Sequence, residues 1–128
     1  RKPLGTGSWV VCGDGPFVDE VGNDLRAAGA TITVVSEEGE ERDGLVVGDG
    51  TDPDVLERAG LTGATGFVAG TDNDILNLSL VTTARHRRPD LAVVARQNLP
   101  KNADLFAALD VDLLMIPSAV IRIAAGIA

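Results

Sequence analysis

Short apolar, β-branched runs alternate with segments of helical period along the whole chain, regularly enough to place elements. Trp9-Val10-Val11-Cys12 predicts a first strand, Gly13-Asp14-Gly15-Pro16 a tight turn, and Val18, Val21, Leu25 and Ala28 follow at helical spacing. Gly29 stands where a glycine ends a helix, and Thr31 to Val35 is β-branched throughout, a second strand. Leu45-Val46-Val47 predicts a third, after which Asp52-Pro53 supplies an N-cap and an N1 proline for a helix through Val55, Leu56 and Ala59. Gly66 to Ala69 predicts a fourth strand. Thr71-Asp72-Asn73-Asp74 then opens a helix carrying Ile75, Leu78 and Val81, which ends at Arg85-His86-Arg87-Arg88 before Pro89. Leu91 to Ala95 reads as a fifth strand, about Lys101 to Leu109 as a helix, Val111 to Ile116 as a sixth strand, and Pro117-Ser118 as the start of a last helix.

Strands separated by helices imply parallel pairing through right-handed crossovers, with helices on both faces of the sheet. The expected fold is α/β: a Rossmann-like doubly wound parallel sheet of six strands in the order 3-2-1-4-5-6. It occupies residues 9–128 behind a tail or linker of residues 1–8, with no internal repeat and no room for a second lobe. The 128 residues, 45% apolar and 23% charged, suit one domain with a real core and not a disordered chain. The longest apolar runs, Leu113 to Ile116 and Ile123 to Ala125, fall well short of the roughly 18 residues of a membrane span.

A net charge of −8 disfavours nucleic acid and anionic membrane surfaces as partners. The single Cys12 has no internal disulfide partner and sits in an apolar strand, as expected of a cytoplasmic protein. With no initiator Met and no basic-then-apolar leader, the chain reads as a piece of something longer.

Candidate chemistry gathers where strands end. Gly13-Asp14-Gly15-Pro16-Phe17-Val18 follows a strand and opens a helix, the setting of a dinucleotide fingerprint. There the first glycine makes the turn, the second admits a pyrophosphate, and the helix N-terminus supplies N–H donors. The third-glycine place holds Val18, with Gly22 one turn later. A carboxylate for the adenosine ribose belongs at the end of strand two; strand counting puts Ser36 there, with Glu37 one residue on, and Ser36→Asp is expected to raise nucleotide affinity. The plain reading of Glu37-Glu38 and Glu40-Glu41 is a solvated acidic loop. No arginine adjoins Ser36, so nothing favours a 2′-phosphate. Gly48-Asp49-Gly50-Thr51-Asp52 and Gly70-Thr71-Asp72-Asn73-Asp74 also leave the carboxyl edge of the sheet, with side chains short enough for adenine, ribose or diphosphate; Asp52 and Asn73 serve equally as helix caps. Arg96, ending strand five, is the one cation at that edge, set for a phosphate or for pairing with an acid. His86 reads as a surface cap at a helix C-terminus. No catalytic triad, metal-ligand cluster or P-loop lysine is present.

The strand-Gly-x-Gly turn, Gly48-Asp49-Gly50-Thr51-Asp52, Val68-Ala69-Gly70-Thr71-Asp72-Asn73-Asp74 followed by Asn77-Leu78, and Val93-Val94-Ala95-Arg96 together resemble the TrkA-N family, the RCK (regulator of potassium conductance) N-terminal domains of potassium channels and transporters. The resemblance runs from about Trp9 to Ala128. It implies a cytoplasmic regulatory domain without catalysis that binds NAD(H), or else ADP or ATP, at Gly13, Gly15, the strand-two terminus and Asp52. It also implies assembly as a homodimer within a larger gating ring, next to a membrane potassium channel or transporter subunit. Val18 and Ser36 depart from the family's glycine and aspartate, so the expected dinucleotide site is degenerate. Two other readings stay open: a fragment of an NAD(P)-dependent oxidoreductase, whose substrate domain would follow Ala128, and a structural Rossmann domain that has lost its ligand. Leu105, Phe106 and Leu109, with Val120, Ile121 and Ile127, are expected to form an apolar self-association surface.

Overall fold

The computed structural model describes residues 6–116. The strands are β1 Ser8–Cys12, β2 Thr31–Ser36, β3 Leu45–Val47, β4 Gly66–Ala69, β5 Ala92–Arg96 and β6 Leu113–Met115. They pair in parallel in the order β3-β2-β1-β4-β5-β6, as the apolar pattern predicts. The helices are α1 Pro16–Ala27, α2 Pro53–Arg58, α3 Asp74–Arg87 and α4 Ala103–Ala107. The last helix expected from Pro117, together with Val120, Ile121 and Ile127, lies outside the described residues.

Because side chains alternate across a strand, β1 feeds two cores. Val10 and Cys12 join Val35, Phe67, Ala69, Val93 and Ala95 beneath α2, α3 and α4, whereas Trp9 and Val11 join Val68 and Val94 beneath α1. Strand β4 makes room for the largest side chain: Gly66 is the register partner of Trp9, and a Cβ there would lie 2.4 Å from the indole.

The helices are less evenly shared than a doubly wound pattern suggests. Among the described residues three cover one face and only α1 the other, and β2 reaches β3 through residues 37–44 without a helix. Helix α4 is shorter than the periodicity of residues 101–109 predicts. A 3-10 turn at Pro100–Asn102 precedes it, and Asp110, at φ +52°, turns the chain toward β6. Strand β6 is likewise shorter than 111–116, because the Asp112 carboxylate takes the Val93 N–H at 2.7 Å and the ladder begins only after it. Phe106 corrects the expected association surface: it is 1% exposed within the core and Leu109 packs against that core, so of the three α4-region residues Leu105 alone stands in solvent.

Candidate functional site

The carboxyl ends of β1, β2, β3, β4 and β5 enclose a cleft of about 400 Å³, within the size range of small-molecule sites. It lies at the ends of the neighbouring strands β1 and β4, whose following helices α1 and α3 pack on opposite faces, the switch point at which open α/β sheets bind ligands. Gly13, Asp14, Gly15, Pro16, Ser36, Glu37, Gly48, Asp49, Gly50, Thr71, Asp72 and Arg96 line it, and all of them come from the four strand-end segments singled out in the sequence or from the end of β5.

The glycine turn is fixed by conformation and by space. Gly13 has φ +131°, and a Cβ there would lie 2.9 Å from Val18 Cγ2 and 3.1 Å from the Gly70 carbonyl carbon and oxygen. Gly15 caps α1 with φ +90° and has nothing within 4 Å of its Cβ position, so the turn presents bare backbone to open space at the start of a 12-residue helix. Pro16 carries no N–H, which leaves the donors of the first turn to the residues around it. Val18, where a third glycine was expected, fits because Gly70 faces it: a Cβ on Gly70 would stand 3.0 Å from Val18 Cγ2 and 3.1 Å from the Phe17 ring.

Two polar networks hold the opposite wall. Asn77, fully buried on α3, accepts from the Thr71 N–H at 3.0 Å and the Thr71 hydroxyl at 2.6 Å. Its amide donates to the Thr71 carbonyl and, at 2.9 Å, to the Arg96 carbonyl. Asp74, 5% exposed, accepts from the Asn98 N–H and amide, the Leu99 N–H and the Asn102 amide at 2.6–2.9 Å. Burial acts against the Asp74 carboxylate, but these hydrogen bonds, led by that of Asn102, outweigh it and hold the carboxyl below its ordinary range. In the sequence Asp74 stands out only as the end of the Gly70–Asp74 segment and Asn77 only as part of the family pattern, neither as a residue that builds the wall. Their signal is helical spacing: Asp74 and Asn77 begin the buried row that Leu80, Val81 and Ala84 continue.

Arg96 spans the cleft between these walls. Its guanidinium carbon stands 4.9 Å from the centre of the Phe17 ring and Nη1 donates to the Gly70 carbonyl at 3.5 Å. Its buried Nε has no hydrogen-bond partner, and Arg96 enters no ion pair among the described residues, so pairing with an acid does not account for it. Phe17 and Gly70 therefore act through Arg96 and Val18 rather than as lining. Asp52 and Asn73 are caps, accepting the Asp54 N–H at 2.9 Å and the Leu76 N–H at 3.0 Å. Against Arg96 stand Asp14, Glu37, Glu38, Asp49 and Asp72. The hydroxyl and N–H of Thr51 hold the Asp49 carboxyl below its usual range. Cys12 adds a neutral wall, since burial, and then Asp49, pushes its thiol far up. Glu38, Val35, Leu76 and Leu80 line the cleft although sequence reasoning had not assigned them to it. No group of three His, Cys, Asp or Glu among the described residues is placed to hold a metal ion.

The TrkA-N domain model matches residues 9–117. The chain belongs to the TrkA-N domain family. This TrkA-N domain is 32% identical over 126 residues to the Trk system potassium uptake protein TrkA homolog of Methanothermobacter thermautotrophicus, covering 91% of this chain and 56% of that protein. It is 22% identical over 118 residues to potassium channel protein 1 of Methanocaldococcus jannaschii, covering 85% and 35%. The domain thus spans about half the length of one curated relative and a third of the other. Among solved structures it superposes on the Shewanella denitrificans Kef CTD in AMP-bound form with a TM-score of 0.84, at 27% identity over 94% of this chain and 77% of that one. GsuK bound to ADP gives 0.80 at 23% identity over 95% and 33%, and the GsuK channel bound to NAD gives 0.77 at 23% over 98% and 23%.

Proposed function

We propose that this TrkA-N domain is a nucleotide-sensing regulatory module of a potassium channel or Trk-type potassium uptake system, that its ligand is an adenine nucleotide, and that it catalyses no reaction. The observation that carries the reading is the cleft itself. Bare backbone at Gly13–Gly15, the start of α1 and an Arg96 that has no acidic partner among the described residues face one another at the switch point, as an anion with a nucleoside attached requires. NAD(H), ADP and ATP are the candidates, and the AMP, ADP and NAD named for structural relatives support that class. Phosphate sits over the turn beside Arg96, ribose beside Ser36, and the base toward Gly48–Gly50. Gating requires that the nucleotide bind one arrangement of a larger assembly better than another. In this reading the domain is cytoplasmic and works as a dimer or ring beside a membrane subunit. No helix among the described residues is long and apolar enough to cross a membrane.

The test is calorimetric and thermal titration of the chain with AMP, ADP, ATP, NAD and NADH. A ligand at about 100 times its dissociation constant adds roughly 2.7 kcal/mol, a melting rise of several degrees for this size. An unchanged melting temperature with all five at millimolar concentration would overturn the reading in favour of a structural domain without ligand.

A further inference from the structure

Dinucleotide folds meet the ribose hydroxyls with a carboxylate at the end of the second strand, and here that strand ends on Ser36, 7% exposed. The Ser36 hydroxyl is already engaged: it accepts the Glu38 N–H at 3.1 Å and donates to Asp14 Oδ2 at 3.4 Å. Asp14 lies 22 residues earlier, in the glycine turn. Backbone brings the two together, because the Gly13 N–H donates to the Val35 carbonyl at 3.0 Å and so ties the turn to the end of β2. Asp14 is exposed, lines the cleft, and is turned toward Ser36. Its bond to Ser36 is long, hence weak, and occupies one of about four acceptor positions on a carboxylate.

We infer that Asp14 is the ribose-recognising carboxylate of this cleft, delivered by the glycine turn to the place where β2 supplies only the Ser36 hydroxyl. The inference rests on the nucleotide reading above and narrows it. The 2′-hydroxyl of a bound nucleotide donates to Asp14, in place of or beside Ser36, and Ser36 holds the carboxylate in register. A 2′-phosphate would meet Asp14 with Glu37 and Glu38 on one side, and Arg26 and Arg42, which line an adjoining recess with Asp14 and Ser36, on the other, so removing the Asp14 charge favours it. Glu37 reaches the cleft from an exposed loop position and has no hydrogen bond to the turn among the described residues, which makes it the lesser candidate for the same role.

The experiment is calorimetry of ADP, 2′-deoxy-ADP and NADP on the 128-residue chain and on Asp14→Asn, Ser36→Ala and Glu37→Gln. Losing a charge-assisted acceptor should weaken ADP about tenfold in Asp14→Asn and leave 2′-deoxy-ADP within about twofold, while NADP improves. Ser36→Ala should weaken ADP by less, about threefold. Equal weakening of ADP and 2′-deoxy-ADP in Asp14→Asn would mean that Asp14 only shapes the turn and would overturn the inference. So would an effect of Glu37→Gln alone. A wild-type chain that binds no adenine nucleotide would bring down the nucleotide reading as well, whereas one that binds ADP with no preference over 2′-deoxy-ADP removes only the role of Asp14. That last comparison needs no variant, so a misfolded Asp14→Asn does not shield the inference.

Discussion

On the β1–α1–β2 side of the cleft the lining is placed by backbone: two glycines at positive φ, one strand-to-turn hydrogen bond, and exposed side chains at Asp14 and Glu37. On the β4–α3–β5 side it is placed by buried polar side chains, Asn77 and Asp74, whose bonds span up to 28 residues. A wall made by backbone tolerates side-chain change and tunes ligand choice. A wall made by buried polar groups is exacting, because removing one partner strands several others.

The comparison breaks first at Asp74. Asp74→Ala leaves two backbone N–H groups and two amides without their acceptor and should cost about 3 kcal/mol in urea unfolding at pH 7. Since the folded carboxyl titrates below the unfolded one, this stabilisation is present above the ordinary carboxylate pKa and is lost as pH falls through the folded value. The gap between wild type and Asp74→Asn should therefore begin to narrow below about pH 4 and vanish only below the folded value. A gap that does not narrow at all as pH falls below about 4 would show that packing and not charge holds the corner.

Within the backbone wall, Gly13→Ala should cost about 2 kcal/mol and Gly15→Ala about 1 kcal/mol by the same measurement. Both are strained by positive φ, but only Gly13 also meets Val18 and Gly70. Equal costs would remove the packing half of that argument. Arg96→Ala should change stability by less than about 1 kcal/mol, the worth of its contact with Phe17, yet weaken ADP about tenfold. A loss of stability without a loss of affinity would make Arg96 part of the exacting wall.

The smallest effect sharpens the view from the other side. Sequence alone predicts that Ser36→Asp raises nucleotide affinity. The structure puts Asp14 beside that position, so a second carboxylate is repelled and affinity should move by less than about threefold. The exchange Asp14→Ser with Ser36→Asp should bind ADP as the wild type does. A tenfold gain in Ser36→Asp alone would return the ribose to the β2 terminus.

The order of the sheet, the glycine turn and the caps at Asp52 and Asn73 were legible in the sequence, because each follows from local facts: apolar runs of strand length, positive-φ glycines, and short polar side chains before a helix. The acidic loop at Glu37-Glu38 and Glu40-Glu41 was legible too, but not that β2 reaches β3 without a helix on that crossover. Periodicity does not report contact. It overran α4, where a 3-10 turn and Asp110 cut the helix short, and it offered Phe106 to solvent when the fold buries it. It did not show that Gly70 gives Val18 the room a third glycine was thought to provide, or that Asn77 fastens the Arg96 carbonyl. Nor could it show that the glycine turn sets Asp14 beside Ser36. Each of these joins residues between 19 and 52 positions apart, and parallel strands fed through crossovers are what set such pairs side by side. Local chemistry chose the elements; the sheet chose which side chains meet.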